Sequence, residues 1–188
     1  MPELLVIAGP NGSGKSTLTI LLRDDIGFDR YNYVNADEMA KTFPGEYHEV
    51  NLKAAKTAEI IRNQLIFDSA NLAFETVYST QPKLDFITKA KGKGYNVSVI
   101  FVCTTNPDIN IKRVKQRVRE GGHDVPEDKI ISRYSKSIEM MKKTYPIADN
   151  VYLFDNSADS KLVLEKVKGK VVFAAKELPV WTRKIIGS

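Results

Sequence analysis

Short unbroken apolar runs alternate along this chain with stretches in which apolar residues recur every three or four positions. Leu4-Leu5-Val6-Ile7-Ala8, bounded by Gly9-Pro10, is the first such run. A continuous apolar run of this length predicts a strand buried on both faces. Ser16 to Arg23 then reads as a helix, and residues 31–35 as a short strand. Over residues 50–68, Ala54, Ala58, Ile61 and Leu65 lie at helical spacing. Leu72 to Val77 is the third strand. Pro82 suits the first turn of a helix running to about Lys91, and Gly92 and Gly94 stop it. Val97 to Cys103 is the strongest strand pattern in the chain. Asn106-Pro107 opens a helix ending near Gly121-Gly122. Pro126 opens another, with Ile131, Tyr134, Ile138 and Met141 expected on its buried face. Val151–Phe154 and Val171–Ala174 read as late strands, and the 178–188 tail has no clear pattern.

The resulting order, βαβαβαβααβ, predicts an α/β fold: a parallel sheet with helices on both faces. The 188 residues fit one domain, and 43% are hydrophobic, enough for a sizeable core. Residues 113–134, around a segment rich in Gly, Pro and charge, suggest a small helical lid rather than a domain boundary. No apolar run approaches the roughly 18 residues of a membrane span. The N-terminus lacks a basic region, so no signal peptide is expected. The single Cys103 excludes an internal disulfide framework and a multi-cysteine metal site. A cytoplasmic setting follows as the default. The net charge of +5 suits phosphate ligands but is too mild to argue for nucleic acid.

Chemistry concentrates first at Gly9-Pro10-Asn11-Gly12-Ser13-Gly14-Lys15-Ser16, followed by Thr17, which matches G-x-x-x-x-G-K-[ST] between a strand and a helix. Glycines let the backbone wrap closely, so that consecutive N–H groups and the helix N-terminus face phosphate oxygens. Lys15 supplies a charge to the β/γ phosphates, and Ser16 a hydroxyl to Mg²⁺. The loop therefore implies ATP and Mg²⁺ as cofactors, but hydrolases, switches and kinases share it.

Carboxylates at other strand ends narrow the choice. Asp37, in Asn35-Ala36-Asp37-Glu38, follows the second strand, where ligands of a parallel sheet sit. It could accept a proton from an acceptor hydroxyl; Asp is also a favoured helix cap, and the pattern fits both roles equally. Glu75, in Phe74-Glu75-Thr76, interrupts an apolar run. Such a carboxylate is costly unless it meets a ligand, a metal or a cation; the alternative is a partly exposed strand end. Thr76, Ser79 and Thr80 are weaker polar candidates. Among Arg113, Arg117 and Arg119 on one basic helix, and Arg133 on the next, guanidinium groups could neutralise a transferring phosphate. His123, in Gly121-Gly122-His123, lacks partners for a metal and suits a structural loop role.

The set of motifs resembles the zeta-toxin-like family of P-loop kinases. The matching residues are Gly9–Thr17, Asn35-Ala36-Asp37, Phe74-Glu75-Thr76, Arg113–Arg119, Gly121–Pro126 and Arg133-Tyr134, covering roughly residues 3–157. The resemblance implies a kinase moving the γ-phosphate of ATP to a sugar hydroxyl, with UDP-N-acetylglucosamine as the acceptor in zeta toxins. It implies Asp37 as the catalytic carboxylate, Glu75 as a substrate-binding residue, and Arg117 and Arg133 as phosphate-binding arginines. It also brings a protein antitoxin among the candidate partners. Two other readings stay open on the residues: a nucleotide-dependent binding module or slow ATPase switch, and a polynucleotide kinase.

Overall fold

The computed structural model describes residues 1–24, 27–122 and 124–187. Its sheet contains seven strands. In chain order they are β1 (Glu3–Ala8), β2 (Asn32–Val34), β3 (Leu72–Thr76), β4 (Asn96–Cys103), β5 (Asn150–Asp155), β6 (Lys161–Val167) and β7 (Lys170–Ala174). The spatial order is β2-β3-β1-β4-β5-β6-β7. The first five strands run parallel. β6 and β7 are antiparallel, which departs from the wholly parallel sheet expected.

β6 escaped the sequence reading because Glu165 and Lys166 break its apolar run. Lys166 is nevertheless buried, with its ammonium donating to the Tyr145 carbonyl and lying over the Tyr145 ring. A buried cation that finds an acceptor looks like a surface residue in the sequence.

The helices are α1 (Lys15–Leu22), α2 (Ala36–Ala40), α3 (Tyr47–Phe67), α4 (Gln81–Gly92), α5 (Pro107–Arg119), α6 (Glu127–Thr144) and α7 (Val180–Ile186). Alternation along β1 divides the core. Leu4, Val6 and Ala8 face a large cluster to which α3, α4, α6 and α7 contribute. Leu5 and Ile7 face a smaller one with Leu18 of α1 and Phe28. Both faces thus carry helices, unequally.

Two further expectations are corrected. On α6, Ile131 is 46% exposed, whereas Ile130 is 1% exposed and takes the inner position. The buried stripe is Ile130, Tyr134, Ser137, Ile138 and Met141, at three- and four-residue spacing. The unassigned tail forms α7, which buries Trp181 and Ile185 in the main core and ends at Gly187 with φ 80°. At that left-handed φ glycine carries no Cβ penalty.

The topology sets where a ligand can sit. α1 leaves β1 toward the smaller core, whereas α4 leaves β3 toward the larger one. Adjacent strands whose helices depart to opposite faces open a crevice at their carboxyl ends. Here the crevice lies between the loop after β1 and the Glu75–Thr76 end of β3.

Candidate active site

The loop joining β1 to α1 has Gly9, Gly12 and Gly14 at φ 148°, 74° and 91°. Space demands glycine as strictly as conformation does. A Cβ on Gly9 would lie 2.1 Å from the Val102 carbonyl oxygen, and one on Gly12 2.5 Å from that of Asn110. Two side chains from other elements brace the loop. Asn110 of α5 donates to the Asn11 carbonyl at 2.6 Å, and Asn156, just after β5, donates to the Ser13 carbonyl at 2.8 Å. Neither brace is readable from local sequence, because each acts across about a hundred residues or more of chain.

Lys15 is buried and donates to the Pro10 carbonyl at 3.0 Å. Burial pushes its ammonium pKa down, against the opposing pull of Glu75 and Asp37; Arg117 adds to the lowering. These three electrostatic neighbours are residues that the sequence singled out from three separate segments.

Ser16 donates from Oγ to Glu75 Oε1 at 2.8 Å, and Glu75 Oε2 is buried with no partner among the described residues. A hydroxyl beside a carboxylate with a free oxygen suits Mg²⁺, which takes one or two carboxylates plus phosphate and water. Among the described residues no three His, Cys, Asp or Glu side chains cluster as a self-sufficient metal site. A cation held here would therefore depend on a bound phosphate.

Asn35, rather than Asp37, is the N-cap of α2: its Oδ1 accepts from the N–H of Asp37 at 2.9 Å and of Glu38 at 3.4 Å. The Asp37 carboxylate is left free of the capping role and lines the same cavity as Lys15. This separates the two roles that the spacing alone left equal.

The cavity holds about 420 Å³, within the common range for small-ligand sites of ~300–1,000 Å³. Glu75, Thr76, Arg117 and Arg133 all line it. Arg133 also donates to Asn11 Oδ1 at 3.2 Å. Of the three arginines on α5, Arg117 alone lines this cavity; Arg119 lines a separate one, and Arg113 has a buried Nη1 with no hydrogen-bond partner among the described residues. Thr17 is exposed on α1, away from the cavity lining. His123 lies outside the described residues. Cys103 is buried, and burial pushes its thiol up to about 12, in keeping with a packing role.

Sequence reasoning picked out the hydroxyls of Thr76, Ser79 and Thr80, which line the cavity, but missed what holds their segment and the cations near it. Tyr78, buried with φ 57°, anchors the segment after β3 through a hydrogen bond between its hydroxyl and Thr144, and Ser137 donates to the Val77 carbonyl at 2.6 Å. Arg62 and Lys83 stand beside that segment on the cavity wall. A signal for Arg62 was present: it falls in the four-residue series Ala54, Ala58, Arg62, Ile66, whose other members are all fully buried.

A glycine loop wrapped around a buried lysine, at the switch point of a mostly parallel sheet, defines the class of P-loop α/β proteins. The family model for Zeta toxin matches residues 1–168, and the chain belongs to that family. An uncharacterized protein of Haemophilus influenzae is 28% identical over 133 residues, covering 70% of this chain and 92% of the relative.

Among solved structures, the crystal structure of AvrRxo1-ORF1:AvrRxo1-ORF2 with sulphate ions contains a chain matching at TM-score 0.73 and 16% identity. The match covers 98% of this chain and 64% of that one. The structure of the same pair with ATP matches at TM-score 0.68 and 19% identity, over 91% of this chain and 60% of that chain. The PezAT chromosomal toxin-antitoxin system of Streptococcus pneumoniae matches at TM-score 0.63 and 17% identity, over 88% and 72%. At such identities the likeness speaks for the fold alone, and the chain spans under two thirds of the AvrRxo1 chains' length.

No helix among the described residues is long and apolar enough to cross a membrane.

Proposed function

We propose that this protein is an ATP-dependent phosphotransferase that moves the γ-phosphate to a hydroxyl of a small molecule, a nucleotide sugar such as UDP-N-acetylglucosamine. The observation that carries the reading is the Asp37 carboxylate, released from capping by Asn35 and lining one cavity with the loop lysine. The loop amides and Lys15 hold the triphosphate. The acceptor oxygen bonds to the γ-phosphorus as the bridging oxygen departs with ADP, and the hydroxyl proton passes to Asp37. Arg117 and Arg133 offset charge on the transferring group, and Glu75 and Thr76 contact the acceptor. Mg²⁺ would be held by Ser16, with Glu75 beside it, and would neutralise phosphate charge. Residues 113–134 act as the lid over the nucleotide. The likeness to PezAT extends the proposal to a protein antitoxin as a partner.

The test is acceptor-dependent transfer from labelled ATP, with UDP-N-acetylglucosamine in one arm and a metabolite extract in the other. Asp37→Asn should lower transfer by about 10²–10⁴-fold while nucleotide affinity stays unchanged. Equal ATP turnover with and without acceptor would replace the transferase with a slow ATPase.

A further inference from the structure

We propose that Arg62 and Lys83 form an anion subsite on the wall of the cavity beyond Asp37 and Glu75, taking a phosphate or carboxylate group carried by the acceptor. The word "acceptor" rests on the transferase reading above. The anion site itself rests on what surrounds the two cations.

Arg62 lies on α3 and is 5% exposed, in a helical series otherwise made of alanine and isoleucine. Among the described residues no hydrogen bond or ion pair meets its guanidinium. Its one structural companion is the face of Phe74, 5.0 Å from the guanidinium carbon to the ring centroid. Glu59, one turn earlier on α3, is the carboxylate that acts on it electrostatically, yet it is exposed and makes no ion pair with it. A ring face offsets only part of what a guanidinium loses on leaving water.

Lys83, in the first turn of α4, is half-buried and lines the same cavity. Burial first, and Arg62 second, push its ammonium pKa down. Two cations are thus held together in partial burial; Glu59, the carboxylate that acts on both, is exposed and, among the described residues, forms no ion pair with either. Such an arrangement is costly alone and is relieved by an anion that accepts from both.

The rest of the wall supplies neutral donors. Thr76, Ser79 and Thr80 line the cavity from the segment that Tyr78 anchors, so these hydroxyls come on a held frame. Lys15 and Ser16 at the loop end already account for the nucleotide phosphates. The Arg62–Lys83 pair is therefore spare for a second anionic group, and an uncharged sugar would leave it unmatched.

The experiment uses the full chain loaded with a non-hydrolysable ATP analogue and Mg²⁺, so that the loop is filled. Inorganic phosphate and malonate are titrated in separate calorimetric arms. Saturable binding of at least one is expected, and the arm that binds names the group as phosphate or carboxylate. Lys83→Gln should weaken that binding about fivefold or more, with analogue affinity unchanged. Arg62→Gln should do the same; because Arg62 is buried, the partly exposed Lys83 variant decides if the other fails to fold. Absence of binding in both arms, or binding unchanged in Lys83→Gln, overturns the subsite. Anion binding lost in Lys83→Gln without transfer to any acceptor would keep the subsite and remove the transferase. Transfer with unaltered KM in both variants would keep the transferase and remove the subsite.

Discussion

The two halves of the sheet obey different rules. In the parallel half, β1, β3 and β4 are almost wholly buried on both faces, and their carboxyl ends carry the phosphate loop and Glu75. In the antiparallel hairpin, β7 is exposed along its whole length and β6 carries a buried lysine. The family model ends at residue 168, in the turn between β6 and β7. What lies beyond is not all peripheral. Trp181 of α7 packs on Phe101 of β4, with ring centroids 5.9 Å apart, and its indole N–H donates to Asp155 Oδ2 at 3.0 Å. The next residue, Asn156, braces the phosphate loop. The buried part of the C-terminal segment thus belongs energetically to the parallel half, whereas β7 does not.

The largest effect expected on this division is at Trp181. Trp181→Ala removes a fully enclosed ring and leaves the Asp155 carboxylate short of a donor, at a cost of about 3–5 kcal/mol. Urea unfolding should show this as a lower midpoint with an unchanged slope. A loss below ~1 kcal/mol would mean that α7 is only appended to the fold.

The parallel half was readable because strands buried on both faces are nearly uniform runs, as in Leu4–Ala8 and Val97–Cys103. The phosphate loop was readable because its glycines meet a local demand: Gly9, Gly12 and Gly14 take φ of 148°, 74° and 91°, a backbone path that favours glycine at fixed spacing. β6 and α7 were not, for opposite reasons. In β6 a charged residue sits inside. In α7 a run of seven residues is too short to show a period. At the site, Asp37, Glu75 and Arg117 were legible as chemistry at strand ends and on a basic helix. Asn110 and Asn156 were not, because what marks them is a distant carbonyl. Arg62 shows the intermediate case, a periodicity that was present while its one charged member went unread.

A smaller effect tests how dry the centre of the parallel half is. Cys103 is buried at the end of β4, and burial raises its thiol from 9.0 to about 12. The folded state therefore keeps the thiol proton after the unfolded chain has lost it. The resulting stability is complete below about pH 9 and is lost as pH rises from there toward 12. Thermal or urea midpoints should fall above pH 9, with this thiol contributing up to about 1.4 kcal/mol per pH unit. In Cys103→Ala that onset should move up to about pH 10, where unfolded tyrosines begin to titrate. An identical onset in both proteins would mean that water reaches the thiol.

The smallest expected effect divides the halves most cleanly, because the same chemical change is made in each. Val99 on β4 is fully buried, and Val172 on β7 is 60% exposed. Valine and threonine nearly match in shape but not in polarity. In Val99→Thr the new hydroxyl enters a core whose neighbouring groups are apolar or already paired, at a cost of about 1–3 kcal/mol. In Val172→Thr the hydroxyl meets water, threonine keeps the β-branch that suits a strand, and the change should stay within about 0.5 kcal/mol. Urea midpoints of the two variants, compared with the parent, read the difference directly. Equal losses would mean that β7 is covered in solution, and that the hairpin belongs to the folded core after all.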